Sequence, residues 1–193
     1  MGFKDLALFN DALLAKQAWQ LLQNKNSLLY RVFKPRFFPN GTILEAPQSQ
    51  TGSYAWKSSL KGRNVLMEDL RWRVGDGESI NVWEDSWLPS EFLPFVSSQP
   101  AAGLENMKVR ELIKSGTNEW NLVLLQQLFY ARDISMIESI PLYSWKVDDT
   151  LFWPFTPSGS YTVKSGYRFL YKAQSMDNSD YNLEDNNGLW KRV

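Results

Sequence analysis

The 193-residue chain contains no cysteine and no histidine. A zinc site of the usual Cys/His kind therefore has no donors. Thiol nucleophiles, serine–histidine–aspartate triads and histidine general bases are excluded as well. Without disulfides, a small secreted fold held by bridges is not expected. No run of about 18 apolar residues occurs, so no membrane-spanning helix is expected. The opening residues, Met1-Gly2-Phe3-Lys4-Asp5, lack the basic and apolar regions of a signal peptide, and Leu6 breaks the myristoylation pattern. The expectation is an intracellular protein with no membrane partner. Any catalysis would fall to carboxylates, Lys, Tyr, Ser or Thr.

Hydrophobic residues make up 44% of the chain, enough for a sizeable core, and the length suits one or two domains. Lys and Arg number 21, and so do Asp and Glu. The balance hides an asymmetry: residues 1–74 hold eleven cations against five acids, whereas residues 75–193 carry the opposite excess. A basic half can mark a surface for phosphate, and an ordinary solvated face gives the same split.

Helical signals dominate. Asn10 is placed to cap a helix over residues 12–23, with Leu14, Ala18, Leu21 and Leu22 forming one buried stripe. Ser27 is an N-cap for a second short helix, which Pro35 should end or kink. A third helix is expected from Tyr54 to about Leu60, with Gly62 as its C′ residue. Asn118, Asp133 and Ser165 are further candidate caps, the last for a helix from Gly166 to about Lys172. Two stretches read as β-hairpins. In one, Arg71–Val74 and Ser79–Trp83 alternate around Gly75-Asp76-Gly77-Glu78; in the other, Thr150–Phe155 and Ser160–Val163 flank a Pro/Ser/Gly turn. The expected fold class is α+β, mostly helical, with two small hairpins in two small subdomains. The expected divisions are 1–88, a Pro/Ser/Ala-rich linker at 89–107, a body at 108–172, and an acidic linker at 173–193 ending in the truncated start of a next element.

Three phrases carry a family resemblance. They are GFKDLALFNDALLAKQAWQLLQ (2–23), SYAWKSSLKGRNVLMEDLRWRVGDGESINVWEDSWLP (53–89) and DTLFWPFTPSGSYTVKSGYRFL (149–170). Together they resemble the region that follows the polymerase domain in plant non-LTR (LINE-type) retrotransposon reverse transcriptase polyproteins. In that family the region joins an RNA-directed DNA polymerase to a zinc-binding domain, sometimes followed by RNase H. Residues 108–172 resemble the start of that zinc-binding domain. The resemblance implies a nuclear location, flanking polymerase and zinc-binding domains as partners, Mg²⁺ in the polymerase, and zinc ligands beyond Val193. The polymerase signature itself is absent, because Lys146-Val147-Asp148-Asp149 lacks its aromatic position. The acidic quartet of RNase H is not recognisable.

No residue is assigned a catalytic or metal-binding role, and no cofactor is expected in this segment. Asp148-Asp149 is a Mg²⁺ candidate by chemistry, but no third acid, base or nucleophile accompanies the pair, and a solvated hairpin entrance or a helix cap is the better explanation. Gly75–Ser79 resembles a phosphate loop, but a strand rather than a helix follows it. Alternation puts Arg71 and Arg73 on one face of their strand, opposite Trp72 and Val74. With Lys57, Lys61 and Arg63 they form the candidate contact to an RNA or DNA backbone. The expected function is a non-catalytic connector that scaffolds its neighbours and contacts nucleic acid. The alternative is a Trp-rich carbohydrate- or protein-binding module, which needs an exposed, coplanar Trp row. A carboxylate hydrolase would need two acids converging in a cleft.

Overall fold

A computed structural model describes residues 5–48, 52–143 and 147–188, with side chains described as far as residue 175. It is mostly helical α+β: the described residues form six α-helices, one 3₁₀ turn and one two-stranded sheet. The chain divides into two compact units. The first comprises Met1–Asp69 with Phe155–Val193, and the second is Leu70–Pro154.

The first unit is built from α1 (Leu6–Gln23), α2 (Leu28–Phe37), α3 (Tyr54–Met67) and α6 (Val163–Gly188). Helix α1 starts one turn before Asn10. Its cap is Asp5, whose carboxylate accepts from the amides of Ala7 (2.8 Å) and Leu8 (3.1 Å). Leu6, Ala7 and Leu8 are good helix formers, so the helix extends back to the earlier cap and leaves Asn10 exposed. The buried stripe of α1 is Ala12, Ala15, Ala18, Trp19 and Leu21. Three alanines let α3 approach closely, and Gly62 completes that approach. A Cβ on Gly62 would lie 2.1 Å from the Leu14 carbonyl oxygen. Gly62 is therefore an interior helix residue rather than a C′ terminator, and α3 continues to Met67.

Ser27 caps α2 as expected, its hydroxyl accepting from the Tyr30 amide at 3.1 Å. Pro35 sits in the last turn, and the helix ends two residues later. Aromatic rings join α2 to α3: Phe37 stacks on Trp56 with centroids 4.4 Å apart, and Phe33 meets the same indole edge-on at 5.5 Å. Helix α6 opens on a reciprocal pair instead of a Ser165 cap. The Ser165 amide donates to Thr162 Oγ1 (3.1 Å), and the Thr162 amide donates to Ser165 Oγ (3.2 Å). It continues past Lys172 to Gly188, over much of the stretch that composition marks as a linker. The final element expected at the C-terminus lies outside the described residues.

Tyr161 fastens α6 to α1. It is fully buried, and its hydroxyl donates to the Ala12 carbonyl at 3.1 Å. Burial pushes its phenol well above the ordinary tyrosine range, because a phenolate there would lose its water. The folded chain therefore holds this proton more tightly than the unfolded chain. The resulting stability is full below about pH 10, where an unfolded tyrosine ionises, and declines as pH rises beyond it. Urea midpoints followed between about pH 9 and 11 should fall more steeply for the native chain than for Tyr161→Phe. The slopes are the measure, since the variant also loses about 1 kcal/mol of hydrogen bond at every pH. Parallel slopes would refute this account of Tyr161.

The second unit holds β1 (Arg71–Arg73), a 3₁₀ turn (Val109–Leu112), α4 (Leu122–Leu128), α5 (Ala131–Glu138) and β2 (Thr150–Phe152). The two expected hairpins are not formed. Strand β1 pairs antiparallel with β2, with Arg71 opposite Phe152, Trp72 opposite Leu151 and Arg73 opposite Thr150. Residues 79–83 do not return along β1. The Ile80 carbonyl accepts from the Val109 amide (3.0 Å), the Val82 amide donates to the Met107 carbonyl (3.0 Å), and Asn81 forms a bridge with Lys108. Burial decides this route, because Ile80, Val82, Val109 and Leu112 are all completely buried in one core with Trp87, Trp120 and Ile137. Asn121, not Asn118, caps α4. Trp120 is thereby released to bridge Ile113 and bury its indole.

The stretch 89–107 is hydrogen-bonded within this unit. The Pro94 carbonyl accepts from the amides of Trp87 and Leu88. Asp133 lies inside α5, not at its cap, and is completely buried. Its carboxylate accepts from the amides and hydroxyls of Ser97 and Ser98 at 2.9–3.1 Å and pairs with Arg132 at 3.0 Å. A buried carboxylate needs such partners, and they hold the 97–98 segment against α5.

Candidate nucleic-acid interface

Of the five basic residues expected to meet phosphate, three are exposed. Lys57 and Lys61 lie on the solvent side of α3, and Lys61 forms an ion pair with Asp11. Arg73 is exposed on β1, with its guanidinium 5.2 Å above the Phe152 ring.

The other two are buried, which corrects the expectation of a shared exposed face. Arg63 is 5% exposed and donates to the Ala46 carbonyl and to Asn64 Oδ1. Burial lowers its pKa, and its Nε has no hydrogen-bond partner. Arg71 is 8% exposed and donates to the carbonyls of Ser90 (2.5 Å) and Glu91 (2.9 Å). Both side chains bury long apolar stems and use the guanidinium fork on main-chain oxygens. Lys57, Lys61 and Arg63 belong to the first unit, and Arg71 and Arg73 to the second. Sequence proximity had drawn together groups that the fold assigns to different bodies.

The Gly75–Ser79 loop has the form of an anion cradle, and the chain fills it with its own carboxylate. Asp149 Oδ1 accepts from the amides of Gly75 (2.7 Å) and Gly77 (2.9 Å), and Oδ2 accepts from Ser79 (2.8 Å). Gly77 has φ +77°, and a Cβ on Gly75 would lie 2.3 Å from the Val147 carbonyl oxygen, so both glycines are needed for the loop to close on this group. Asp149 is half-buried and Asp148 exposed. Among the described residues no three acidic side chains form a group able to hold a metal ion. The sequence offered no local signal for this contact, because more than seventy residues separate Asp149 from Gly75.

Among the described residues the tryptophans do not form an exposed row. Of those described, Trp19, Trp56, Trp87, Trp120 and Trp153 are buried. Trp72 and Trp83 are half-buried against the second unit's core. Trp72 Nε1 donates to Asp85 at 3.2 Å, a partner that fixes its ring.

The chain is similar to two plant proteins. One is "Uncharacterized mitochondrial protein AtMg00310" of Arabidopsis thaliana, 40% identical over 91 residues, which is 47% of this chain and 59% of that protein. The other is "Putative ribonuclease H protein At1g65750" of the same plant, 26% identical over 179 residues, which is 88% of this chain and 28% of that protein. The chain thus spans little more than half of the first relative and under a third of the second. No family model matches it. No solved structure matches it. No helix among the described residues is long and apolar enough to cross a membrane.

Proposed function

We propose that the chain is a non-catalytic connector from a retrotransposon-derived reverse transcriptase polyprotein, with exposed cations that contact an RNA or DNA backbone. The observation that carries this reading is the match of nearly the whole chain to a minor part of a much longer protein named for ribonuclease H. A segment of that kind joins other domains. The three phrases of the resemblance support a place between a polymerase and a zinc-binding domain, which would bring a nuclear location and those flanking domains as partners. Polymerase Mg²⁺ and the zinc ligands belong to the neighbours. This chain has no Cys or His with which to build the usual zinc site.

The geometry supports a scaffold. The acids that chemistry would first nominate are engaged in holding the fold: Asp149 closes the glycine loop and Asp133 anchors Ser97 and Ser98. Exposed Lys57 and Arg73 remain available to phosphate. Such contacts are insensitive to sequence and sensitive to salt, with affinity falling by about 0.7–0.9 log units per contact for each log unit of salt. The purified chain should bind labelled single-stranded RNA or duplex DNA, read by fluorescence anisotropy. Lys57 and Arg73 alone predict about a tenfold weakening between about 50 and 200 mM salt, and every further phosphate contact steepens it. Binding that ignores salt, or no binding at the lower salt, would sink the proposal.

A further inference from the structure

We propose that α2 and its flanks form the phosphate-binding face of the first unit. This deepens the nucleic-acid reading above and rests on it. Between Asp11 and Glu45 the chain has no acidic residue, but it carries Lys16, Lys25, Arg31, Lys34 and Arg36. No described ion pair involves any of the five. Lys16 and Lys34 donate to main-chain carbonyls, those of Tyr161 (2.7 Å) and Gly41 (2.6 Å), which leaves their charges uncancelled. Lys25, Arg31 and Arg36 are exposed. Lys61 on α3 differs, because Asp11 already offsets its charge. The first unit therefore carries uncancelled positive charge on α2 and its flanks.

The helix also holds its cations in place. The Arg36 guanidinium lies 5.3 Å from the centroid of Phe37, which is itself stacked on Trp56, and Lys34 Nζ lies 5.3 Å from the centroid of Phe38. A guanidinium laid on a ring keeps its N–H edge free for phosphate oxygens, and a side chain already ordered loses less entropy on binding. The stack joins the last turn of α2 to the first turn of α3, so Arg36, which precedes Phe37, and Lys57, which follows Trp56, are sequence neighbours of one aromatic pair.

A nucleic-acid backbone fits this face better than a lipid surface does. An interfacial helix needs a broad apolar side with aromatic or leucine residues. Phe33 and Phe37 of α2 turn inward onto Trp56, Tyr30 packs edge-on against Phe38, and the large hydrophobic side chains left in solvent are Leu28 and Val32.

The test compares three forms of the full chain: native, Lys25→Ala/Arg31→Ala/Arg36→Ala, and Lys57→Ala/Lys61→Ala. The probes are a labelled single-stranded RNA, a DNA duplex, and vesicles of phosphatidylcholine with phosphatidylserine. The α2 variant should bind both nucleic acids at least about tenfold more weakly at low salt, with a salt slope shallower by about two units, and the α3 variant should lose less. Because a triple substitution can disturb folding, acetylation of the native chain gives a second reading: bound RNA should protect Lys25 more than Lys61. Native binding that survives in the α2 variant, with Lys25 unprotected, would overturn this inference and leave the nucleic-acid reading standing. No binding by the native chain at low salt would overturn both. A loss confined to vesicles would overturn it in favour of lipid.

Discussion

Replacing Asp149 with alanine should destabilise the second unit by about 3 kcal/mol, a large share of a typical domain's stability. Its carboxylate takes three main-chain amides, at 2.7, 2.9 and 2.8 Å. Hydrogen bonds to a charged acceptor contribute about 1.5–3 kcal/mol each, and the half-buried position reduces that figure because water can reach part of the vacated loop. The contact also supports a sheet that is weak alone: β1 and β2 have three residues each, and an isolated two-stranded pair is marginal in water. Asp149→Asn is the sharper comparison. Its carbonyl can still accept from Gly75 and Gly77, but its NH₂ would face the Ser79 amide, donor against donor. The expected loss is about half that of alanine. Urea unfolding followed by tryptophan fluorescence gives the magnitude. Hydrogen exchange at Gly75, Gly77 and Ser79 gives the location, since only loss of this clamp exposes those three amides together. An unchanged midpoint with unchanged protection would show that the loop holds itself.

This contact marks the limit of what the sequence made legible. Helices were readable because their signals are local: Ser27 caps α2 as its type and position suggest, and Pro35 precedes the helix end by two residues. The strands were readable as strands, but their partners were not. Alternation around a glycine turn describes Arg71–Trp83 well, yet pairing depends on which residues must be buried, and burial sends Ile80 and Val82 to Val109 and Met107. The second apparent hairpin spans the boundary between the two units, at Pro154 and Phe155. Charge was legible only as a total. That residues 1–74 are basic is plain from composition, but Arg63 and Arg71 are buried against carbonyl oxygens. No pattern distinguishes an arginine that serves the main chain from one that meets solvent. The acid-free run from residue 12 to 44 was the stronger signal, because like charge without nearby counter-charge survives folding wherever the side chains remain outside.

Gly62→Leu should destabilise the first unit by about 4 kcal/mol, and Gly62→Ala by about 2. Two effects compete at this position. Alanine is favoured over glycine inside a helix by about 1 kcal/mol, so an exposed glycine of α3 would gain from the change. Against that, a Cβ here meets the main chain of α1, at 2.1 Å from the Leu14 oxygen, 2.2 Å from its carbonyl carbon and 2.6 Å from the Ala15 nitrogen. Main-chain atoms cannot swing aside as a side chain can, so the helices must separate. Separation loosens the packing of the completely buried Ala12, Ala15 and Ala18. Overpacking typically costs about 1–3 kcal/mol and exceeds propensity here. The diagnostic is the ordering Gly, then Ala, then Leu in falling urea midpoint, with helix content in the folded baseline unchanged. If alanine instead raised the midpoint, propensity would have won, and α1 and α3 could not be packed as closely as the glycine implies.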